Sequence, residues 1–465
     1  MRGRIIFRLK RAAGVVSFFI MLQRILFGLA LLACLATPAL STNWPEWRGP
    51  DGQGHAEGSG YPQTWSESSN ITWRTNIPGR GWSSPVIWGD QIWLTTALEI
   101  PASPQKEKER LKSNTSGQPL TLLEEVQLRA VCVNKTSGKI LHDIELHREP
   151  EPQWVHKLNS YASPTPVIEE GRLYCHFGTF GTFCVDTSNA KILWKNTELK
   201  LMHENGPGSS IILWKDFAIF HGDGSDVQFV VALDQQTGKI AWKTARSGEM
   251  AKDPQLKKSY CTPLILEMGG KPVLFSQGAD WLYGYDPANG KELWKVRYGT
   301  LGFSLSARPV AGHGMFFMST GFLKPQMMGV KYEGGSTPEI VWTSTKSAPT
   351  MPSPLLVGDE LYFISDGGIL VCMDARTGTE HYRERLTNDT GKRMGGTYNA
   401  SPIFADGRIY IFNREGVTHV IAPGKNFKKL ADNKIESQIM ASPAAVDGAF
   451  YIRSYKALYR IEARK

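Results

Sequence analysis

The residue types best suited to cation or cofactor chemistry lie together in the segment LMHENGPGSS. It contains His203, Glu204 and Asn205, followed by a Gly-Pro-Gly turn sequence. A carboxylate beside an amide offers the oxygen ligands that a hard cation such as Ca²⁺ prefers. The same residue types also cap loops, and glycine and proline shape tight turns. The segment therefore predicts either part of a calcium or quinone site or a capped loop, and its turn sequence favours the loop.

A second acidic segment, HGDGSDVQF, resembles a calcium-binding loop only in part. It places Asp223 and Asp226 close together, but the further ligands and the bidentate glutamate of an EF-hand are missing. We therefore expect an ordinary hairpin turn. The chain has neither a GxxxxGK[ST] phosphate loop nor the HRD and DFG motifs of protein kinases. The sequence thus argues against phosphoryl transfer by either class of enzyme.

The first 41 residues have the composition of an export signal. They contain six basic residues, no acidic residue, an apolar run at 25–36 and small residues at 39–41. This order is typical of a secretory signal peptide, and Met21 is an alternative start. The sequence therefore predicts a signal peptide at 1–41 and export to the periplasm or cell envelope. Cys34 lies in a lipobox-like LLAC, so we expect membrane association only if this cysteine is lipidated.

The formal net charge of +9 does not indicate a nucleic-acid partner. The leader carries six of the positive charges, and no basic stripe remains in the rest of the chain. Proteins that bind a phosphate backbone concentrate lysine and arginine on one face. The hydrophobic fraction of 41% and the charged fraction of 21% are those of an ordinary folded protein with a large core.

An internal repeat sets the positions of all these residues. The segment VALDQQTGKIAW at 231–242 indicates a strand, a Thr-Gly turn and a strand that ends in tryptophan, and variants recur at 132–142, 184–194, 285–294 and 372–382. A second signature lies upstream of each copy and consists of Ser/Thr-Pro, an apolar pair, a turn and an aromatic strand. Its anchor residues are Pro85, Pro166, Ser210, Pro263, Pro309, Pro354, Pro402 and Pro443. Four short strands in each of eight such units predict an all-β fold, an eight-bladed β-propeller.

The last repeat unit lacks its fourth strand. After Pro443 the chain offers three strands, whereas NITWRTNI at 70–77 is a lone strand ahead of the first unit. We expect this strand to complete the last blade and close the ring, because closure removes two free sheet edges. The predicted propeller domain is then 70–465, with an insertion at 97–127. The Gly- and Pro-rich residues 42–69 are predicted to be an extended segment that three tryptophans pin to a surface.

With this repeat established, the chain resembles the quinoprotein-like, or PQQ-like, β-propeller repeat family over residues 70–461. The unit Ala-x-Asp-x-x-Thr-Gly-Lys-x-x-Trp at 232–242 carries the resemblance. The chain also resembles exported bacterial PQQ-binding-like repeat proteins and, in architecture, the propeller scaffold lipoprotein of the outer-membrane β-barrel assembly machinery. In this family the tryptophan packs on the neighbouring blade. The resemblance therefore implies a structural girdle of Trp73, Trp194, Trp242, Trp294 and Trp342.

The family has two functional branches, and the fold does not decide between them. Quinoprotein dehydrogenases hold PQQ and calcium in the central funnel, typically above a pair of adjacent cysteines, and this chain has no Cys-Cys pair. The scaffold branch works by surface recognition. We expect a monomeric, non-catalytic scaffold without a cofactor that binds an envelope protein, peptide or glycan. The alternative is a periplasmic oxidoreductase that depends on PQQ and calcium, with Glu204 and Asn205 among the ligands.

The residues that precede each anchor are expected to surround one mouth of the central channel. The predicted binding residues are Trp82, Asn159, Tyr161, His203, Glu204, Asn205, Tyr260, Tyr398 and Asn399, and Ser306, Met351 and Met440 occupy related positions. An aromatic and amide ring of this kind suits a sugar, a peptide or a planar cofactor. Packing between blades at the loop ends is the alternative role of the same residues.

Overall fold

Eight antiparallel sheets account for the eight repeat units. The structure is a computed structural model that describes residues 43–114, 117–333, 337–387 and 398–464. The predicted signal peptide and Cys34 lie outside the described residues. Within the described ranges, no helix is long and apolar enough to cross a membrane. The prediction of an eight-bladed β-propeller is confirmed.

Each blade begins with a three- to five-residue strand at the channel and ends with a strand at the perimeter. From the channel outwards, the strands of blades 1 to 4 are Val86–Trp88, Gln91–Pro101, Leu123–Asn134 and Ile140–Pro150; Val167–Glu169, Arg172–His176, Thr182–Asp186 and Ile192–Asn196; Ile212–Trp214, Phe217–Asp223, Gln228–Asp234 and Ile240–Ala245; Leu264–Met268, Lys271–Gln277, Trp281–Tyr285 and Glu292–Arg297.

Blades 5 to 8 repeat this order. Their strands are Val310–Gly312, Met315–Ser319, Met327–Lys331 and Glu339–Ser344; Leu355–Val357, Glu360–Ile364, Ile369–Asp374 and Glu380–Arg385; Ile403–Ala405, Arg408–Phe412, Val417–Ile421 and Lys429–Lys434; Ala444–Val446, Ala449–Arg453, Ala457–Glu462 and Ile71–Asn76. The outermost strand of blade 8 comes from the start of the domain and pairs antiparallel with Ala457–Glu462. The predicted closure of the ring is confirmed.

The elements outside the blades are short. They are the α-helix Pro104–Arg110, the 3-10 turns Leu111–Ser113, Gly178–Phe180 and Pro254–Lys257, the strand His55–Ala56, and the strand pairs Leu120–Thr121 with Val155–His156 and Gly302–Phe303 with Phe322–Leu323. The second and third strands of blade 1 extend into the insertion predicted at 97–127. They pair from Ala97 with Leu128 as far as Pro101 with Leu123, so only 102–122 leaves the sheet.

A ring of side-chain hydroxyls joins neighbouring blades around the channel. In six of the eight blades, the main-chain N–H that precedes the innermost strand donates to the hydroxyl at the same position of the next blade: Ser84 to Thr165, Thr165 to Ser210, Ser210 to Thr262, Arg308 to Ser353, Ser353 to Ser401 and Ser401 to Ser442, at 2.9–3.1 Å. We call these positions the hydroxyl ring. Blade 5 departs from it, because Arg308 has no hydroxyl.

The hydroxyl ring corrects one predicted anchor. Ser210 accepts the hydrogen bond that Thr165 donates, so Ser210 occupies the hydroxyl position. Ile211 therefore takes the place that proline holds in the other blades, and the predicted anchor at Ser210 is one residue early. The segment SSIIL contains no proline that could fix the register.

Tryptophan side chains join the blades a second time near the perimeter. Four indole N–H groups donate to a main-chain oxygen of the next blade: Trp73 to Lys135 (3.1 Å), Trp194 to Gln235 (2.8 Å), Trp242 to Pro287 (3.1 Å) and Trp342 to Ala375 (2.9 Å). Each acceptor follows the Asp or Asn that begins the repeat's turn. Trp294 is buried against Phe275, and its indole nitrogen has no partner among the described residues.

The glycine of the repeat's turn receives the same tryptophan ring. Gly238 has a φ of +70°, and a Cβ placed on it would lie 2.3 Å from the ring of Trp194. Gly138, Gly290 and Gly378 meet Trp73, Trp242 and Trp342 in the same way. Glycine is therefore required at this position for two reasons. The turn needs a positive φ, and the tryptophan ring of the preceding blade leaves no room for a side chain.

We predict that Gly238→Ala destabilises the propeller more than Gly407→Ala. Both glycines have positive φ, but a Cβ at Gly407 would meet nothing within 4 Å. Both variants should lose about 1–2 kcal/mol of stability, because alanine is disfavoured in the left-handed backbone conformation. Gly238→Ala should lose a further ~1–3 kcal/mol because the methyl group overlaps an indole ring. Urea unfolding of both proteins measures the difference, and equal losses would contradict the contact.

Candidate functional site

The candidate site is a cavity at the end of the channel where the anchor residues lie. Its volume is about 360 Å³. One residue from each blade contributes to its wall, two places before the hydroxyl-ring position: Trp82, Ser163, Gly208, Tyr260, Ser306, Met351, Asn399 and Met440. We call this set the mouth ring and the space the anchor-side cavity. The hydroxyl ring fixes the main chain beside each of these side chains, so the repeat itself brings all eight to one place.

Five of the nine predicted binding residues line this cavity. They are Trp82, Asn159, Asn205, Tyr260 and Asn399, and Ser306, Met351 and Met440 join them. Their proposed role in binding stays a prediction. Sequence reasoning missed the lining residues outside the repeat, among them Phe303 and Phe322. These two lie in GTLGF and STGFL, where only the neighbouring glycines mark a change from the repeat.

The structure does not bring the other four predicted residues to the cavity wall. Tyr161 is buried, and its hydroxyl donates to Gln153 O at 2.7 Å. Tyr398 is also buried, with its hydroxyl 2.9 Å from His419 Nε2. These two tyrosines therefore pack inside the propeller, which is the alternative role that their sequence position allows.

His203 and Glu204 form part of the loop that supports the cavity. His203 is buried, and its Nε2 accepts the N–H of Thr179 at 2.8 Å. Glu204 has a φ of +66°, and its carboxylate accepts a hydrogen bond from Gln255 Nε2 at 2.6 Å. The Tyr260 hydroxyl donates to the main-chain oxygen of His203. Residues 203–205 thus act as a capped turn that holds Tyr260 in the mouth ring.

The turn expected at Asp223 contains a buried ion pair that the sequence did not reveal. Both carboxylate oxygens lie 2.8 Å from Arg246 Nε, and neither side chain is exposed to solvent. Burial raises the pKa of Asp223, and the guanidinium of Arg246 opposes that shift. Removing one partner alone would leave an uncompensated charge in the interior, so the pair is part of the core of blade 3.

The segment ahead of the propeller crosses the channel, whereas the sequence predicted a segment pinned to a surface. Trp44 exchanges two main-chain hydrogen bonds with Ile87 in the innermost strand of blade 1. Ala311 in the innermost strand of blade 5 donates to the Gln53 side chain at 2.8 Å. Residues 55–56 then form a parallel strand beside the innermost strand of blade 7. We call residues 43–56 the channel strap.

Two buried arginines fix the channel strap. Arg308 donates to Trp47 O at 2.6 Å and lies 3.2 Å from a carboxylate oxygen of Glu46. Arg48 donates to the main-chain oxygens of Pro354 (2.8 Å) and Pro402 (3.3 Å). Burial lowers the pKa of Arg48 to about 9. The arginine that interrupts the hydroxyl ring therefore binds the strap, and its departure from the Ser/Thr signature was the one sequence signal for this contact.

The channel strap divides the channel into two cavities. Trp47 lines the anchor-side cavity, and its indole N–H donates to Ser442 Oγ at 3.3 Å. On the other side, Glu46 and Asp51 line a second cavity of about 390 Å³ together with Trp214. The anchor-side cavity is therefore a blind pocket with a strap residue in its wall.

The described wall of the anchor-side cavity carries no fixed charge. Among the described residues, no Asp, Glu, Lys or Arg lines it. The one histidine, His156, accepts the N–H of Leu158 through Nδ1 at 3.1 Å, which places the ring proton on Nε2 when the ring is neutral. Burial lowers the pKa of His156. The cavity therefore combines aromatic, thioether and amide groups without a fixed charge.

Comparison with known proteins agrees with this architecture. A family model described as outer membrane protein assembly factor BamB matches residues 102–244 and 263–465. The chain belongs to this family. The BamB assembly factor of Shewanella oneidensis is 22% identical over 250 residues, and the match covers 49% of this chain and 60% of that protein. The chain therefore matches less than two thirds of this curated relative.

Two solved structures show the same fold at low identity. BamB from Moraxella catarrhalis has a TM-score of 0.51 at 12% identity, and the match covers 74% of this chain and 100% of that one. Quinohemoprotein alcohol dehydrogenase from Comamonas testosteroni has a TM-score of 0.57 at 9% identity, with 92% of this chain and 82% of that one covered. The predicted resemblance to both branches is confirmed at the level of the fold.

In this BamB-family chain, the residues around the anchor-side cavity do not fit the quinone and calcium of the dehydrogenase branch. Among the described residues, no three His, Cys, Asp or Glu side chains come together in a group that could hold a metal ion. The Glu204 carboxylate is bonded to Gln255, and no carboxylate of the described residues lines the anchor-side cavity. Trp47 of the channel strap forms part of the wall. We therefore assign no chemical step to either group.

We predict that Arg308→Met releases the channel strap. The variant leaves the Glu46 carboxylate without its ion-pair partner in a place where burial already raises its pKa. Loss of one partner of a buried pair costs about 3–5 kcal/mol. Urea unfolding should show this loss, and limited proteolysis of the folded protein should cut within 43–56. Arg376→Met, at an arginine whose side chain is 56% exposed, is the control. A protected strap in Arg308→Met would contradict the assignment.

We predict that buried histidines weaken the propeller below about pH 6.5. Burial lowers the pKa of His176 and of His203 to about 3, whereas a histidine in an unfolded chain titrates near 6.5. Between these values the unfolded chain binds protons that the folded chain does not. Below about pH 6.5, each of these histidines lowers the free energy of unfolding by up to about 1.4 kcal/mol for each pH unit that the pH falls. Above about pH 6.5 it has no such effect.

His203→Gln tests this dependence, because the glutamine carbonyl can still accept the Thr179 N–H. Urea unfolding at pH 7 and at pH 5 should show a smaller loss for this variant than for the native chain. Parallel stability curves for the native chain and His203→Gln would refute a contribution from His203.

Proposed function

We propose that this chain is a non-catalytic binding scaffold of the cell envelope that holds a partner protein at the anchor-side cavity. The observation that supports the proposal is the mouth ring. Its eight equivalent positions carry six residue types, whereas the hydroxyl ring beside it is almost uniform. Positions that serve the architecture repeat the same residue, so variation at a converging set of positions supports a role in recognition.

The chemistry of the cavity also supports binding without catalysis. Its wall carries aromatic rings, thioethers and amides, and no carboxylate, lysine or cysteine of the described part of the chain lines it. Catalysis by proton transfer or by a covalent intermediate usually depends on such groups. We therefore propose that neither PQQ nor calcium takes part in the function of this chain.

The proposed location follows from the leader and from the family. Residues 1–41 have the composition of a signal peptide, and the Shewanella relative carries the name of an outer membrane protein assembly factor. We propose that the chain is exported and acts as a monomer in the envelope, where its partner is a protein. A free peptide or a glycan is the less favoured ligand.

We predict that a photo-crosslinking residue at Trp82 captures a discrete envelope protein in the native host. Trp82 lies in the mouth ring, and Trp214 at the opposite cavity is the matched control. Substitution of p-benzoylphenylalanine at each position, followed by irradiation and mass spectrometry, identifies what is captured. The same protein should be captured from position 82 and not from position 214.

Two outcomes would contradict the proposed function. Equal capture from both positions, or no capture from position 82, would argue against recognition at this mouth. Tight binding of added PQQ and calcium by the mature protein, together with dye-linked oxidation of alcohols or sugars, would establish the competing oxidoreductase function.

A further inference from the structure

One amide in the anchor-side cavity is held in place but not used by the protein. The main-chain oxygen of Asn205 accepts hydrogen bonds from Asn159 Nδ2 (2.8 Å) and from the N–H of His156 (3.2 Å). The side chain of Asn205 lies beside the Tyr260 hydroxyl and makes a long 3.5 Å contact from Nδ2 to Ser304 Oγ. Among the described residues, its Oδ1 has no hydrogen-bond partner. Asn205 therefore presents one donor and one acceptor from a fixed loop.

Two further amides of this wall are already engaged. Asn159 Oδ1 accepts from Ser160 N and Ser163 Oγ, and Gln255 bridges Glu204 and Lys258. Asn399 is not, because its buried Oδ1 has no partner among the described residues. The side chains of Asn205 and Asn399 can therefore pair with a group that offers both N–H and C=O. A peptide unit of an extended chain is such a group.

Apolar surface surrounds Asn205. Tyr260 and Phe303 line the same cavity, and Leu158 is 48% exposed at its edge. Trp82 is held by a hydrogen bond from its indole nitrogen to Leu158 O at 3.1 Å, and its ring lies 5.5 Å from that of Tyr455. Exposed apolar groups around a pocket mark a surface that gains free energy when a partner covers them.

The charge of the wall restricts the partner further. Among the described residues, no Asp, Glu, Lys or Arg lines the cavity. Arg80 lies behind Trp82, and Glu204 and Lys258 are bonded to Gln255, so a charged group that entered the cavity would lose its hydration and reach no charge in the wall itself. A glycan meets a related difficulty, because it carries hydroxyl groups on most of its surface and much of this wall cannot hydrogen-bond to them. The wall therefore favours a polypeptide segment whose side chains are apolar and whose main chain supplies the polar groups.

We infer that the anchor-side cavity binds an extended, uncharged segment of a partner polypeptide. The Asn205 amide hydrogen-bonds the N–H and C=O of one peptide unit, and the apolar side chains of the segment pack against Trp82, Tyr260 and Met351. Asn205 is the residue that fixes the position of the segment's main chain. This inference rests on the proposed function and specifies the chemistry of the partner.

Selection from a phage-displayed library of random linear peptides on the full mature chain tests the inference. Enriched sequences should be apolar and poor in charged residues. Synthetic copies should bind the native chain and should bind Asn205→Leu about tenfold more weakly, the loss expected for two hydrogen bonds. Asn205→Asp keeps the shape but exchanges the donor for a charge, so it should also weaken binding. Trp214→Ala, at the opposite cavity, should bind like the native chain.

N-methylation of the peptide, one main-chain nitrogen at a time, shows whether Asn205 contacts the main chain. At one position the methyl group should weaken binding to the native chain about tenfold and leave binding to Asn205→Leu unchanged. Melting curves confirm that each variant is folded. A scan in which every methylation has the same effect on both proteins would overturn the role of Asn205.

The remaining outcomes distinguish the inference from the proposed function. If no peptide is enriched, or if chitotriose binds in an Asn205-dependent way and the peptides do not, the cavity does not take an extended polypeptide and the inference is wrong. The proposed function is judged separately, by cross-linking from positions 82 and 214 and by the assay with PQQ and calcium. Capture from position 82 without peptide binding would show that a partner covers this mouth by a different chemistry.

Discussion

The hydrogen bond from a main-chain N–H to a hydroxyl of the next blade is the contact on which the rest of this propeller depends. It recurs six times around the channel and sets the height at which each innermost strand begins. Because the strand starts are level, the residue two places earlier always reaches the same mouth. The geometry of the anchor-side cavity is thus a result of the architecture, and only the identity of its side chains is free to vary.

Two belts hold the blades at different radii. The hydroxyl ring joins them at the channel, and tryptophan rings seated on turn glycines join four pairs of blades near the perimeter. The inner belt is interrupted at Arg308, where a guanidinium replaces the hydroxyl. There the channel strap joins blades that are not all neighbours of each other. It connects blade 5 with blades 6, 7 and 8 through the two buried arginines, Trp47 and a short parallel strand.

Repetition explains which features were predictable from the sequence. The eight blades and the closing strand followed from a period that the chain repeats, and the mouth positions followed from the same period. The predicted anchor at Ser210 is one residue early, because no proline marks the anchor in that blade. The channel strap was missed because Arg48 and Arg308 bind residues that are far away in the chain. The arginine in place of Ser or Thr at position 308 marks an irregularity in the repeat, but it does not identify the partner. Tyr161 and Tyr398 had the right spacing, but their rings turn into the interior.

The channel strap also affects the order in which the molecule is assembled. Trp47 and Ser442 are 395 positions apart in the chain, and Arg48 meets Pro402 across 354 positions. Contacts of such high contact order form late, because the loop that they close must first be ordered by other elements. During synthesis the strap leaves the ribosome before any blade and finds its partners only after the last blades exist. Until then a nascent chain exposes its tryptophans, so this stage is the one most open to aggregation.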